Sequence, residues 1–153
     1  MNRKNYPANL SYFRLLLLAF LQESHPHLTS DQNFIISRTE LAIDTYLQAL
    51  SADENHNQAI EQANAVMFNG LHFSKHDTIV NILWNEFPNE VPEDKAKEYA
   101  IKLLPECETV FAKYPLSDNF AFEPEFSHLY TELTGTIALF IESHNTQFIT
   151  HNS

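Results

Sequence analysis

The stretch Asn69-Gly70-Leu71-His72-Phe73-Ser74-Lys75-His76-Asp77-Thr78-Ile79-Val80-Asn81-Ile82-Leu83-Trp84-Asn85-Glu86-Phe87 decides the fold class. Gly70 stands where a left-handed residue closes a helix, with Leu71 placed to fold back on the last turn. Ser74 then offers a side-chain oxygen to a free N–H, and Asp77 faces the positive end of the helix that follows. Ile79, Val80, Leu83, Trp84 and Phe87 recur at helical spacing, so they form the expected buried side until Pro88-Asn89 stops the helix. The stretch reads as helix stop, connector and helix start, and not as a catalytic loop.

The same punctuation extends outward. Upstream, a first helix is expected over about Leu10 to Ser24, ended by His25-Pro26. Tyr12, Phe13, Leu15 to Leu18, Phe20 and Leu21 cover nearly its whole circumference, which predicts a central helix packed on several sides. Thr29 and Gln32 are spaced as a capping box for a second helix carrying Ile35, Ala42, Ile43, Tyr46, Ala49 and Leu50, with Arg38 on its wet side and an end near Ala52. Residues 53–57 read as a turn, and a third helix bears Ala59, Ile60, Ala63, Val66 and Met67 up to the Asn69-Gly70 stop.

Downstream, Val91-Pro92-Glu93-Asp94 opens a fifth helix with proline and acids in its first turn. Its stripe of Ala96, Tyr99, Ala100 and Leu103 keeps phase beyond Pro105 as Cys107, Val110, Phe111 and Tyr114, which predicts one helix kinked at Pro105. Pro124 opens a last helix with Phe126, Leu129, Tyr130, Leu133, Ile137, Phe140 and Ile141 on one side. The expectation is an all-α fold, one helical domain over residues 1–153 built as a compact bundle of about six helices, with residues 1–8 and 145–153 frayed.

Composition agrees. At 153 residues the chain is long enough to bury a core without a staple, and its two glycines, Gly70 and Gly135, are too few for the turns of an all-β fold. Nine basic against twenty acidic residues give a formal charge of −11, which argues against direct nucleic-acid binding and leaves a protein as the expected partner. Protonating all eight histidines would move that charge to −3. The single cysteine, Cys107, lies on an apolar stripe and fits a buried thiol in a reducing compartment. The apolar run Leu15 to Leu21 is far short of the ~20 residues that span a bilayer, and no small-residue cleavage site follows it, so the expected location is cytoplasmic and not membranous.

Chemical motifs are sparse. His72 and His76 have metal-ligand spacing, but Ser74 between them marks a helix start and breaks the shared face. His128 and Glu132 share a face at i, i+4, while Glu123 and Glu125 flank a helix-opening proline and read as electrostatic caps. Gly135 lies among Thr131, Thr134 and Ala138, a small-residue set expected to admit close helix packing. With two distant glycines neither a P-loop nor a dinucleotide fingerprint can be built, and no G-x-S-x-G elbow is present. No catalytic residue, cofactor or metal is assigned. The candidate contact or pocket residues are His72, Trp84, Phe120, Phe122, Tyr130, Glu132 and Gly135, the phenylalanines on a face that could also serve a homodimer.

Six blocks resemble a known helical family. They are Leu10-Ser11-Tyr12-Phe13, Gly70-Leu71-His72-Phe73-Ser74-Lys75, Leu83-Trp84-Asn85-Glu86-Phe87, Val91-Pro92-Glu93-Asp94, Phe111-Ala112-Lys113-Tyr114-Pro115-Leu116 and Tyr130-Thr131-Glu132-Leu133-Thr134-Gly135-Thr136. Together they span most of the chain and resemble a domain of unknown function common in Bacteroidetes and their conjugative transposons. The resemblance implies a small all-helical protein often encoded near mobile-element genes, and it supplies no catalytic residue. The leading expectation is therefore a non-enzymatic acidic interaction module of a mobile-element or DNA-processing system. The competing expectations are a small-ligand protein or enzyme with a pocket near His72, Trp84, Tyr130 and Glu132, and an acidic DNA mimic.

Overall fold

In a computed structural model, which describes the backbone of residues 6–152 and the side chains of residues 10–144, the described residues form six α-helices and no strand. These are α1 (Tyr6–Ser24), α2 (Gln32–Ser51), α3 (His56–Met67), α4 (Lys75–Glu86), α5 (Ala96–Phe111) and α6 (Phe126–Asn152), with 3₁₀ turns at Pro26–Leu28, Glu93–Lys95 and Phe120–Phe122. The all-α architecture is as expected. Two ends differ from expectation. The helix α1 begins at Tyr6, because Pro7 suits a first helical turn. At the other end α6 continues past Asn145 to Asn152, since neither glycine nor proline follows Gly135 to stop it. The expected fraying of residues 1–5 and of Ser153 lies outside the described residues.

The chain divides into two compact units, Met1–His72 and Phe73–Ser153, each with its own core. The division falls inside the stop–start stretch, where the composition shows no linker. In the first unit α2 packs chiefly against α3 and α1 against α2. Phe13, Leu17, Leu21, Ile35, Ala42, Ile43, Ala63, Met67 and Leu71 form its core. The helix α1 is not the enclosed helix that its leucines predict. Its buried stripe is Phe13, Leu17 and Leu21 at four-residue spacing, while Leu15 is 68% exposed. The leucine run simply exceeds what one apolar stripe can bury.

Helix boundaries follow local hydrogen bonding. The expected Thr29–Gln32 capping box does not form, because Thr29 closes the preceding 3₁₀ turn by donating its hydroxyl to the Pro26 carbonyl. Asp31 caps α2 instead, accepting from the Phe34 N–H at 3.1 Å. A full capping box appears one helix later, where Asn55 and Gln58 exchange side-chain and backbone bonds at the start of α3.

The end of α3 is closed from two directions. Gly70 has φ +82°, the left-handed conformation expected of it, and the Leu71 N–H donates to the Phe68 carbonyl at 3.0 Å. From α2, the Arg38 guanidinium donates to the carbonyls of Met67, at 2.9 Å, and Asn69. Arg38 also lies over the Phe34 ring, 5.0 Å from its centroid. The wet-side reading of Arg38 is thus corrected, since its long stem carries a cation to the negative end of a neighbouring helix.

The second unit begins as expected, with Ser74 accepting the Asp77 N–H at 2.9 Å. Ile79, Val80, Leu83 and Phe87 of α4 join Ala96, Ala100, Leu103, Cys107, Val110 and Phe111 and the α6 stripe Leu129, Leu133, Ile137 and Ile141. The expected opening of the fifth helix is instead the 3₁₀ turn Glu93–Lys95, after which α5 runs without a break through Pro105. Pro105 and Ile101, whose carbonyl loses its helical donor, are both exposed, so water can satisfy the orphan group. Gly135 does not admit a close neighbour. A Cβ built there would meet nothing within 4 Å, so the tight packing expected of it is absent.

The two glycines and Arg38 make opposed stability predictions, each read from denaturant unfolding of the full chain. Gly70→Ala is expected to destabilise by about 1 kcal/mol through left-handed strain, whereas Gly135→Ala should stabilise by up to about 1 kcal/mol as an unhindered helix-interior replacement. Arg38→Ala should cost on the order of 2 kcal/mol because it strips charged donors from the end of α3, and Arg38→Lys should recover only part of that.

Candidate functional site

The candidate site is built where α4 turns into the Glu93–Lys95 3₁₀ turn. Phe87 ends α4, its N–H bonded to the Leu83 carbonyl at 3.0 Å, and the Val91 N–H returns to the Phe87 carbonyl at the same distance. Pro92 then holds an extended conformation and caps the 3₁₀ turn. This folded-back segment brings the Glu93 carbonyl to Trp84, whose indole N–H donates to it at 3.1 Å. Helical spacing predicts Trp84 on the buried side of α4, yet it is 40% exposed. It lies one residue beyond buried Leu83, a rotation of about 100° that takes it to the edge of the stripe.

Trp84, Pro88, Val91 and Glu93 line a hollow of 350 Å³. Of the lining, Val91 is buried, while Pro88 and Glu93 are exposed. Glu93 is the only titratable group of the four, so these side chains cannot supply an acid–base pair. They offer an aromatic and aliphatic contact surface with one carboxylate.

The other candidates separate. Tyr130 and Glu132 lie on α6 but do not line the hollow. The Tyr130 hydroxyl accepts from the Asn85 amide at 3.3 Å. Glu132 is held by the Tyr114 hydroxyl and by the Lys113 ammonium, the latter at 3.0 Å. The side chain expected to share a face with His128 is therefore committed to the end of α5. His72 belongs to the first unit and is exposed. His76 is buried on α4, its Nε2 3.0 Å from the Lys97 carbonyl. Phe120 is a core residue against Phe73, Tyr114 and Phe126, whereas Phe122 is 87% exposed. A turn of three residues sends positions two apart in different directions.

Protonation states are set by the same contacts. The hydrogen bond to Glu132 is the main reason the Tyr114 phenol is pushed up to about 12, with burial and the charges of Glu132 and Glu125 adding to it. The bond from Tyr114, followed by that from Lys113, holds the Glu132 carboxyl below its ordinary value. Burial, reinforced by Glu106 and Glu108, raises the Cys107 thiol to about 11, which keeps it protonated and poorly nucleophilic. Among the described residues no group of three or more His, Cys, Asp or Glu side chains is placed to hold a metal, and no helix is long and apolar enough to cross a membrane.

These features define an all-α protein with an exposed aromatic hollow. Residues 5–146 match the domain of unknown function DUF1896, and the chain belongs to that family. It is similar to protein PG0816 from Porphyromonas gingivalis, known from a crystal structure, with 41% sequence identity and a TM-score of 0.89. The similarity covers 93% of this chain and 97% of that one. No curated protein matches the chain.

The clasp between α5 and α6 makes a titration prediction. Wild-type protein should show one phenol ionising near pH 12 in a phenolate-absorbance titration, and Glu132→Gln should return it toward the ordinary tyrosine range. Because the folded pKa of Tyr114 is raised, its contribution to stability is complete below about pH 10 and declines as pH rises toward 12. Glu132 has the opposite sign. Its stabilising contribution is present above the unfolded carboxyl pKa and is lost as pH falls through its lowered folded value.

Proposed function

We propose that the protein is a non-enzymatic helical interaction module, acting in the reducing cytoplasm on behalf of a mobile-element or DNA-processing assembly. The observation that carries this reading is Trp84, a large aromatic left 40% exposed in a hollow on an acidic protein. Tryptophan is enriched among the residues that dominate binding energy at protein interfaces. Its indole is already fixed by a hydrogen bond, so little conformational freedom remains to be lost on association. The net charge of −11 supports a basic protein surface as the counterpart and disfavours direct contact with nucleic acid. The mobile-element setting rests on the resemblance of the sequence blocks described above.

Affinity purification of the tagged full chain from a lysate of the native host, with nuclease added, tests the role. The expected result is a stoichiometric protein partner that survives nuclease and is released progressively as salt is raised. Recovery of the bait alone over the same range of salt would contradict an interaction role.

A further inference from the structure

We infer that the Trp84 hollow is the docking site for an arginine-bearing segment of a basic protein partner, an inference that rests on the interaction role proposed above. Three observations on the lining point to that chemistry. Trp84 presents aromatic surface held by its bond to the Glu93 carbonyl, and Pro88 and Val91 add apolar groups to the same lining. Glu93 is an exposed residue of the lining, and among the described residues its carboxylate takes part in no hydrogen bond or ion pair. The segment that builds the hollow is itself acidic. Glu86, Glu90, Glu93, Asp94 and Glu98 stand against Lys95 and Lys97 over residues 84–98.

A guanidinium matches this combination better than the alternatives. Its plane stacks on an indole face, its fork meets a carboxylate through two parallel hydrogen bonds, and its three-carbon stem covers apolar surface on the way in. A lysine ammonium would satisfy the charge but neither the plane nor the fork. A purely apolar side chain would leave the Glu93 carboxylate partly desolvated without a partner.

The chain contains a single tryptophan, so its emission reports this site alone. The test is a fluorescence titration of the full-length protein with the blocked peptide Gly-Arg-Gly-Arg-Gly, beside matched peptides carrying lysine or glutamine at both positions, and beside free arginine. A saturable change with the arginine peptide is expected, several-fold weaker with lysine and absent with glutamine. Glu93→Gln, which keeps size and exposure, should weaken the arginine peptide roughly tenfold, the scale of a lost charge-assisted hydrogen bond. Calorimetry on Trp84→Phe should show weakened but measurable binding, so the result does not depend on fluorescence alone. The inference is overturned if the arginine peptide gives no saturable change, if Glu93→Gln binds it as tightly as wild type, or if free arginine binds equally well and so identifies a small-molecule occupant. The peptide arms decide the hollow and the purification experiment decides the interaction role, so the two readings fail separately.

Discussion

The guanidinium of Arg38 and the left-handed backbone of Gly70 act on the same helix end, and the path of the chain depends on that closure. A helix ends with carbonyls that have no partner within it, and an unsatisfied buried end is costly. Here the Met67 and Asn69 carbonyls receive a cation delivered by α2, while Gly70 at φ +82° turns the backbone so that Leu71 can donate back to Phe68. The same cation thus ties α2 to α3, the pair with the most extensive packing in the first unit. Immediately beyond, Ser74 restarts the chain as α4. Stop and start are separated by so few residues that the division between the two units needs no linker.

The second unit is closed differently. Its core is a continuous apolar cluster drawn from α4, α5 and α6, and the end of α5 is fastened to α6 by Tyr114 and Lys113 on Glu132. That clasp is why the Glu132 carboxyl is held below its ordinary value, the Tyr114 bond first and the Lys113 bond second. The fold-back after α4 has the opposite consequence. It holds Trp84 by its indole N–H and uses the Glu93 backbone carbonyl to do so, which leaves the Glu93 carboxylate uncommitted.

Local signals in the sequence are reliable wherever one residue controls one bond. Gly70 is left-handed because the helix must stop there, and Ser74 caps because its oxygen is the nearest acceptor to the free N–H of Asp77. The stripe across Pro105 keeps its phase, and α5 is continuous. Sequence and structure part where a distant partner decides. Periodicity puts Arg38 on the solvent side of α2 and contains nothing about the reach of its side chain to another helix end. It likewise shows that Leu83, Leu103 and Leu133 are buried without showing which core they enter, so the grouping into two cores is not legible. Thr29 has the spacing of a cap, but the 3₁₀ turn engages its hydroxyl and Asp31 caps α2 in its place. Of the hollow's lining, Trp84 is among the candidates read from the sequence, although helical spacing places it on the buried side of α4 and does not show its exposure. Glu93 is not among them, because acids at a helix opening ordinarily serve the helix dipole.

The indole of Trp84 and the closed end of α3 are both fixed by hydrogen bonds to backbone carbonyls, at Glu93 in the one case and at Met67 and Asn69 in the other. The most direct measurement of that closure is native-state amide hydrogen exchange on wild type and Arg38→Ala, resolved residue by residue. If Arg38 closes α3, the variant should lose protection at the Phe68 and Leu71 amides and through the last turn of α3, with α5 and its buried stripe little changed. Unchanged protection at Phe68 and Leu71, or an equal loss across α3 and α5, would contradict the central role given to this one guanidinium.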